Sequence, residues 1–207
     1  MSSRSRLAIA ANLLAMMLTP VVKAGVIFSR PVLRLWRLTW LRSQTDGCVP
    51  VSTQFDGPVW VVGTGKLRLG ENCRLGRDVQ FETNGPGEIA LGQRVRINTG
   101  CVVVANCRVS VGDDALIGEY VSIRDANHGI SIERPIRIQE HVAEEIRIGR
   151  DVWIGRGSCI LKGVTIGDGA VIGANSVITR DVPENSIFAG APAKQIGVRV
   201  SGKVPSV

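Results

Sequence analysis

Aliphatic and polar positions alternate along this chain with a period of six, rather than the two of a strand or the 3.6 of a helix. The clearest stretch reads IGRDVW, IGRGSC, ILKGVT, IGDGAV, IGANSV, ITRDVP. Its anchors are Ile148, Ile154, Ile160, Ile166, Ile172 and Ile178. Four residues after each anchor stands a small or β-branched residue: Val152, Ser158, Val164, Ala170, Ser176 and Val182. Upstream the anchors come in threes: Leu69, Leu75 and Phe81, then Leu91, Ile97 and Val103, then Val111, Ile117 and Ile123. Short insertions separate these triplets, and a long one separates Ile123 from Ile148. Three hexapeptides make one triangular coil if each anchor points into a narrow interior and stacks on the anchor one coil away, near ~4.8 Å. The pattern predicts about five regular coils, preceded by an irregular one around Val59 to Leu67. Gly70, Gly76, Gly118, Gly155 and Gly173 suit corners where a Cβ would clash or φ must be positive. Cys73, Cys101 and Cys107 take the small inward position and read as core filler.

The first 44 residues break the period. Leu7 to Val22 is apolar apart from Asn12 and Thr19, with Pro20 interrupting it. That run of roughly 16 residues falls short of the ~20 that a spanning helix needs. A signal peptide competes, with a basic start and Val22-Lys23-Ala24 as a tolerable cleavage site. From Arg30 to Arg42 the pattern is helical. Val32, Leu33, Trp36 and Trp40 fall in one arc beside a stripe of Arg30, Arg34 and Arg37, while Leu35, Leu38 and Leu41 spill outside it. Trp beside Arg is the composition of a helix lying in a membrane interface. The alternative is a helical hairpin packed on a neighbouring subunit.

Charge sharpens that division. The net charge is +7, and no acid precedes Asp46, whereas Arg4, Arg6, Lys23, Arg30, Arg34, Arg37 and Arg42 do. Those bases account for the whole excess. An anionic partner is therefore sought at the N-terminus, and a nucleic-acid surface on the main body has no electrostatic support. The five cysteines are odd in number and include no CxxC, so neither a disulfide framework nor a zinc knuckle is indicated. A reducing cytoplasm fits, with the chain peripheral to the inner face of the cytoplasmic membrane.

The ordered motifs NHGI (127–130), RPI (134–136), IGRDVWIG (148–155), GVTIGDGAVIGANSVITRDVP (163–183) and AGAPAK (189–194) resemble the hexapeptide-repeat acyltransferases. Within them the chain is most similar to sugar and surface-polysaccharide O-acetyltransferases of the maltose and galactoside type, from about Leu67 to Val200. The resemblance implies a left-handed parallel β-helix over 45–190, an N-terminal helical appendage over 1–44 and an extended tail over 191–207. It also implies a homotrimer with its active sites between subunits, acetyl-CoA as acyl donor, and no metal.

Acetyl transfer from a thioester to a hydroxyl needs a base for the hydroxyl proton and a donor for the developing oxyanion. His128 lies where the long break ejects a loop, matching the family's catalytic His, and imidazole titrates in the neutral range. Asp125 is either the carboxylate that orients that ring or a solvated loop acid. Asn98 matches an acceptor-binding Asn, or is a corner Asn. By the same match Trp153, Gly155, Ala174 and Thr179 line the pantetheine groove, and Arg180, Lys194 and Arg199 approach the CoA phosphates. Arg180 stands where relatives often carry Lys, and Arg156 replaces a small polar residue. His141, among acids in QEHVAEE, reads as a solvated loop residue.

Rival activities on this scaffold are less well supported. A β-helical zinc carbonic anhydrase needs three His per site, and this chain has two. A uridylyltransferase needs a nucleotide-binding domain ahead of the helix. Serine acetyltransferases carry a large helical N-terminal domain. A non-catalytic trimeric scaffold stays open as an alternative, against which NHGI and the basic C-terminal region argue.

Overall fold

A computed structural model describes residues 3–46 and 49–202. The side chains of 3–13, 21–28 and 30 lie outside the described set, and with them Arg4, Arg6, Lys23, Arg30 and the cleavage-site reading. Cys48 does too. The chain divides into two compact units, Met1–Arg37 and Leu38–Val207.

The second unit is a parallel β-solenoid of about seven turns. Its first face stacks Gln54–Phe55, Arg74–Leu75, Arg96–Ile97, Leu116–Ile117, Trp153–Ile154, Val171–Ile172 and Ser186–Gly190. The second stacks Val59–Gly63, Val79–Thr83, Val102–Ala105, Ser122–Arg124, Cys159–Ile160 and Val177–Ile178. The third runs from Leu67–Leu69 through Glu88–Leu91, Arg108–Val111 and Ile146–Ile148 to Thr165–Ile166, with a last bridge from Ile166 to Val182. In-register pairing puts the hexapeptide anchors in columns, for example Leu75, Ile97, Ile117, Ile154, Ile172 and Phe188. All of these are buried.

The coil expected to be irregular is regular enough to pair. Phe55 sits beside Leu75 and Val61 beside Phe81. Phe55 and Val61 stand six apart and Leu69 eight further on, so this coil keeps the six-residue step with one lengthened corner. All the insertions fall at one corner, between the second and third faces, where the loop carrying His128 also leaves. A lengthened corner there leaves the ladders of all three faces intact.

At the five anchor glycines it is close approach, not positive φ, that excludes a side chain. A Cβ on Gly155 would lie 2.6 Å from Ala174 N, and one on Gly118 2.7 Å from Arg156 N. The left-handed positions come two residues later, at Tyr120 and Gly157 in those same turns. Aspartates tie coil to coil: Asp113 accepts the Gln93 N–H at 2.8 Å and Asp168 the Arg150 N–H at 2.8 Å. The Arg150 N–H and guanidinium together hold the Asp168 carboxyl below the usual carboxylate range.

Cys73 and Cys101 are buried as expected, and burial pushes the Cys101 thiol up to about 11. Cys107 is not core filler. It is exposed, because the corner insertion shifts the phase and Val109 takes the inward position instead.

Ser3–Ser43 form one helix containing Pro20 and Pro31. No helix among the described residues is long and apolar enough to cross a membrane. Leu38 and Leu41, which break the predicted arc, are buried in the core with Val49, Val59 and Leu67. The arc itself, Val32, Leu33, Trp36 and Trp40, is exposed. At the other end Ala193–Val198 turns back antiparallel on Ser186–Gly190, so the tail expected from 191 begins as a hairpin strand.

Candidate functional site

The long break between the second and third faces of the fourth coil folds as a hairpin. Ala126–His128 pairs antiparallel with His141–Ala143, placing His128 opposite His141. The hairpin stands on Asp125, which is wholly buried and whose two carboxylate oxygens accept the backbone N–H groups of Asn106 and Cys107, each at 2.8 Å. Its backbone carbonyl accepts the Glu144 N–H at 2.8 Å, closing the base of the loop. Burying a carboxylate is costly unless its lone pairs are filled, and these donors fill them. Among the described residues no hydrogen bond joins Asp125 to His128.

The far end is fixed by Gln139, also buried. Its Oε1 accepts the Ser131 N–H at 2.8 Å, and its Nε2 donates to the carbonyls of Ser131 at 2.8 Å and Arg134 at 2.7 Å. RPI therefore serves the loop through the Arg134 carbonyl. Between these two fastenings His128 is exposed. Its Nε2 lies 3.4 Å from that of His141, with ring centroids 4.3 Å apart and planes inclined at 50°.

The other expected site residues lie on different edges of the prism. Asn98, Gly155 and Ala174 occupy the corner between the first and second faces, and Trp153 projects from the first face, half exposed. The Asn98 Oδ1 accepts from Arg96 Nε at 3.1 Å. Thr179 and Arg180 are exposed at the hairpin's own corner, two coils further on. Lys194 is exposed on the returning strand. Arg199 donates to Asp151 Oδ2 at 2.7 Å and to the Gly169 carbonyl at 3.3 Å, at the third corner. The Arg156 guanidinium lies over the Tyr120 ring, 5.5 Å from its centroid.

Sequence reasoning missed His141 and Gln139. The available signal was that NHGI and QEHV stand at the two ends of the long break, where antiparallel pairing brings them together. Among the described residues no cluster of three or more His, Cys, Asp or Glu is placed to hold a metal.

Residues 145–180 match the family model described as bacterial transferase hexapeptide (six repeats). The chain carries that repeat. Solved hexapeptide-repeat proteins superpose on it over most of its length. AntD, an N-acyltransferase from Bacillus cereus in complex with dTDP and 3-hydroxybutyryl-CoA, aligns with a TM-score of 0.63 at 18% identity, over 72% of this chain and 81% of that one. A hexapeptide-repeat acetyltransferase from Vibrio cholerae O1 biovar eltor, complexed with acetyl coenzyme A, aligns at 0.56 with 24% identity, over 81% and 78%. The polySia specific acetyltransferase NeuO aligns at 0.53 with 24% identity, over 76% and 92%. What these proteins share with the present chain at such identities is the hexapeptide-repeat fold.

Proposed function

We propose that this chain is an O-acetyltransferase that moves acetyl from acetyl-CoA to a hydroxyl of a sugar or glycan, with His128 as general base. The observation that carries this reading is the exposed imidazole of His128, lifted from a hexapeptide-repeat solenoid on a hairpin pinned at its base by Asp125 and at its tip by Gln139. A base must reach its substrate yet keep its position, and this arrangement does both. Proteins of the same fold crystallised with acetyl coenzyme A and with 3-hydroxybutyryl-CoA support the donor.

In the proposed step the acceptor O–H gives its proton to the His128 ring while its oxygen attacks the thioester carbonyl. The tetrahedral intermediate then expels the CoA thiolate, which takes the proton back from the imidazolium. No acyl-enzyme forms. Asn98 would contact the acceptor, while Trp153, Gly155, Ala174 and Thr179 would line the pantetheine arm. Arg180 and Lys194 would meet the phosphates; Arg199, held by Asp151, would instead fasten the tail beside them. Asp125 would act through the hairpin.

Because His128 and the Asn98–Gly155–Ala174 corner lie on different edges of one prism, a single cleft needs a second copy. A homotrimer supplies it by setting one protomer's hairpin against another's corner. The exposed Ile130, Ile132, Ile136 and Ile138 around the hairpin tip support such a contact. The exposed Val32, Leu33, Trp36 and Trp40 on a helix without acids support docking on the inner, anionic face of the cytoplasmic membrane. A lipid-linked or growing surface glycan, lipopolysaccharide included, is then the natural acceptor. A free-thiol assay of CoA release over a panel of sugars and saccharides tests the chemistry. His128→Ala is expected to lower turnover by about a hundredfold or more, and undiminished turnover would remove the mechanism.

A further inference from the structure

His141 is the titratable group nearest the proposed base, and nothing in the mechanism so far uses it. It faces His128 directly across the hairpin ladder, with the two Nε2 atoms 3.4 Å apart. A neutral imidazole carries one N–H and one bare nitrogen, so two rings meeting Nε2 to Nε2 must take unlike tautomers there. If both presented a proton the donors would collide, and if neither did the lone pairs would.

Competing partners are accounted for. Asp125 is committed to the Asn106 and Cys107 amides. Glu144 is paired with Lys162. Glu145 is paired with Arg108 and Arg147. Arg124 donates to Ser122, and Glu133 accepts from Ser131. Glu140, next to His141, and Arg134 and Arg137 in the loop are exposed.

Resting on the general-base reading of His128, we propose that His141 is its positioning residue. His128 carries its proton on Nε2 and donates it to the bare Nε2 of His141, which leaves Nδ1 of His128 as the atom that takes the acceptor's proton. When Nδ1 is protonated, the imidazolium is steadied by the hydrogen bond into His141. This is the task a carboxylate performs in a His–Asp pair.

The chain contains two histidines, so labelling His with 13C and 15N gives two assignable imidazoles. In the full-length parent, NMR at neutral pH is expected to show unlike tautomers, His128 protonated on Nε2 and His141 bare there. In His128→Ala and His141→Ala the remaining ring is expected to lose that tautomer preference. In the CoA-release assay His141→Ala is expected to lower kcat roughly tenfold, with the KM for acetyl-CoA unchanged, and to move the acid limb of the pH profile. His141→Gln, whose carboxamide oxygen still accepts from Nε2, should recover part of that loss. Rings whose tautomers are each unaffected by removal of the other would overturn the proposal while leaving the His128→Ala result to judge the general base. Interdependent tautomers alongside full activity of His128→Ala would instead uphold the pair and sink the acetyl-transfer mechanism.

Discussion

Asp125 illustrates how a residue's chemistry is set by what it can reach. Sequence spacing puts it three positions before His128, close enough to suggest a dyad, yet its oxygens face back into the preceding coil. It closes the turn at Asn106–Cys107 and so fixes the level at which the hairpin leaves the prism. Asp125→Ala strips acceptors from two N–H groups and should cost about 1–3 kcal/mol, with Asp125→Asn, which keeps one acceptor, costing less. Urea unfolding measures this, and kcat should fall in the same order as stability. A dyad would instead show lost activity at unchanged stability. Cys107 taught the same lesson. Its inward placement followed from counting in sixes, and the count fails wherever a corner is lengthened. Burial of the anchors, by contrast, was fully legible, because a narrow interior demands an apolar side chain and repeats that demand every six residues.

Among elements, the helix end is where hydrophobic patterning misled. Leu38 and Leu41 looked like faults in an amphipathic arc, but they belong to a second, shorter face that is buried in the solenoid's hydrophobic core. Two overlapping faces on one helix cannot be separated by periodicity alone. The consequence is a sharp boundary. Removing residues 1–37 should leave the thermal transition of the solenoid unchanged while abolishing flotation with anionic liposomes. Removing 1–44 also takes away two buried leucines, and should lower the Tm by roughly 5–15 °C. Calorimetry of the two truncations distinguishes these outcomes. The His hairpin was only half legible: its position followed from the break in the repeat, whereas the pairing of His128 with His141 depended on strand register inside a segment without periodicity.

For the whole molecule, the stacked columns fix where side chains can meet, and one prism keeps the hairpin corner and the Asn98–Gly155–Ala174 corner on separate edges. The fold was legible because each coil repeats one rule. The complete site was not, because a period within one chain carries no record of which edge meets which in an assembly. If copies of the chain complete one another's clefts, charge placed at the hairpin tip should separate them. Ile132→Asp is expected to shift sedimentation from trimer towards monomer and to reduce CoA release in parallel, more severely on dilution. An Ile132→Asp protein that remains trimeric and active would place the contact elsewhere.

Parallel solenoids face a hazard at their ends, where an uncovered coil offers its backbone amides and carbonyls to any further strand. Here the last turn of the helix, through Leu38 and Leu41, lies against the first coil, and a returning antiparallel strand bearing Lys194 lies against the last. On the first face that returning strand presents an antiparallel edge where a further parallel coil would add. A copy stacking on that face would meet a strand running the opposite way, so the repeat is not simply continued there.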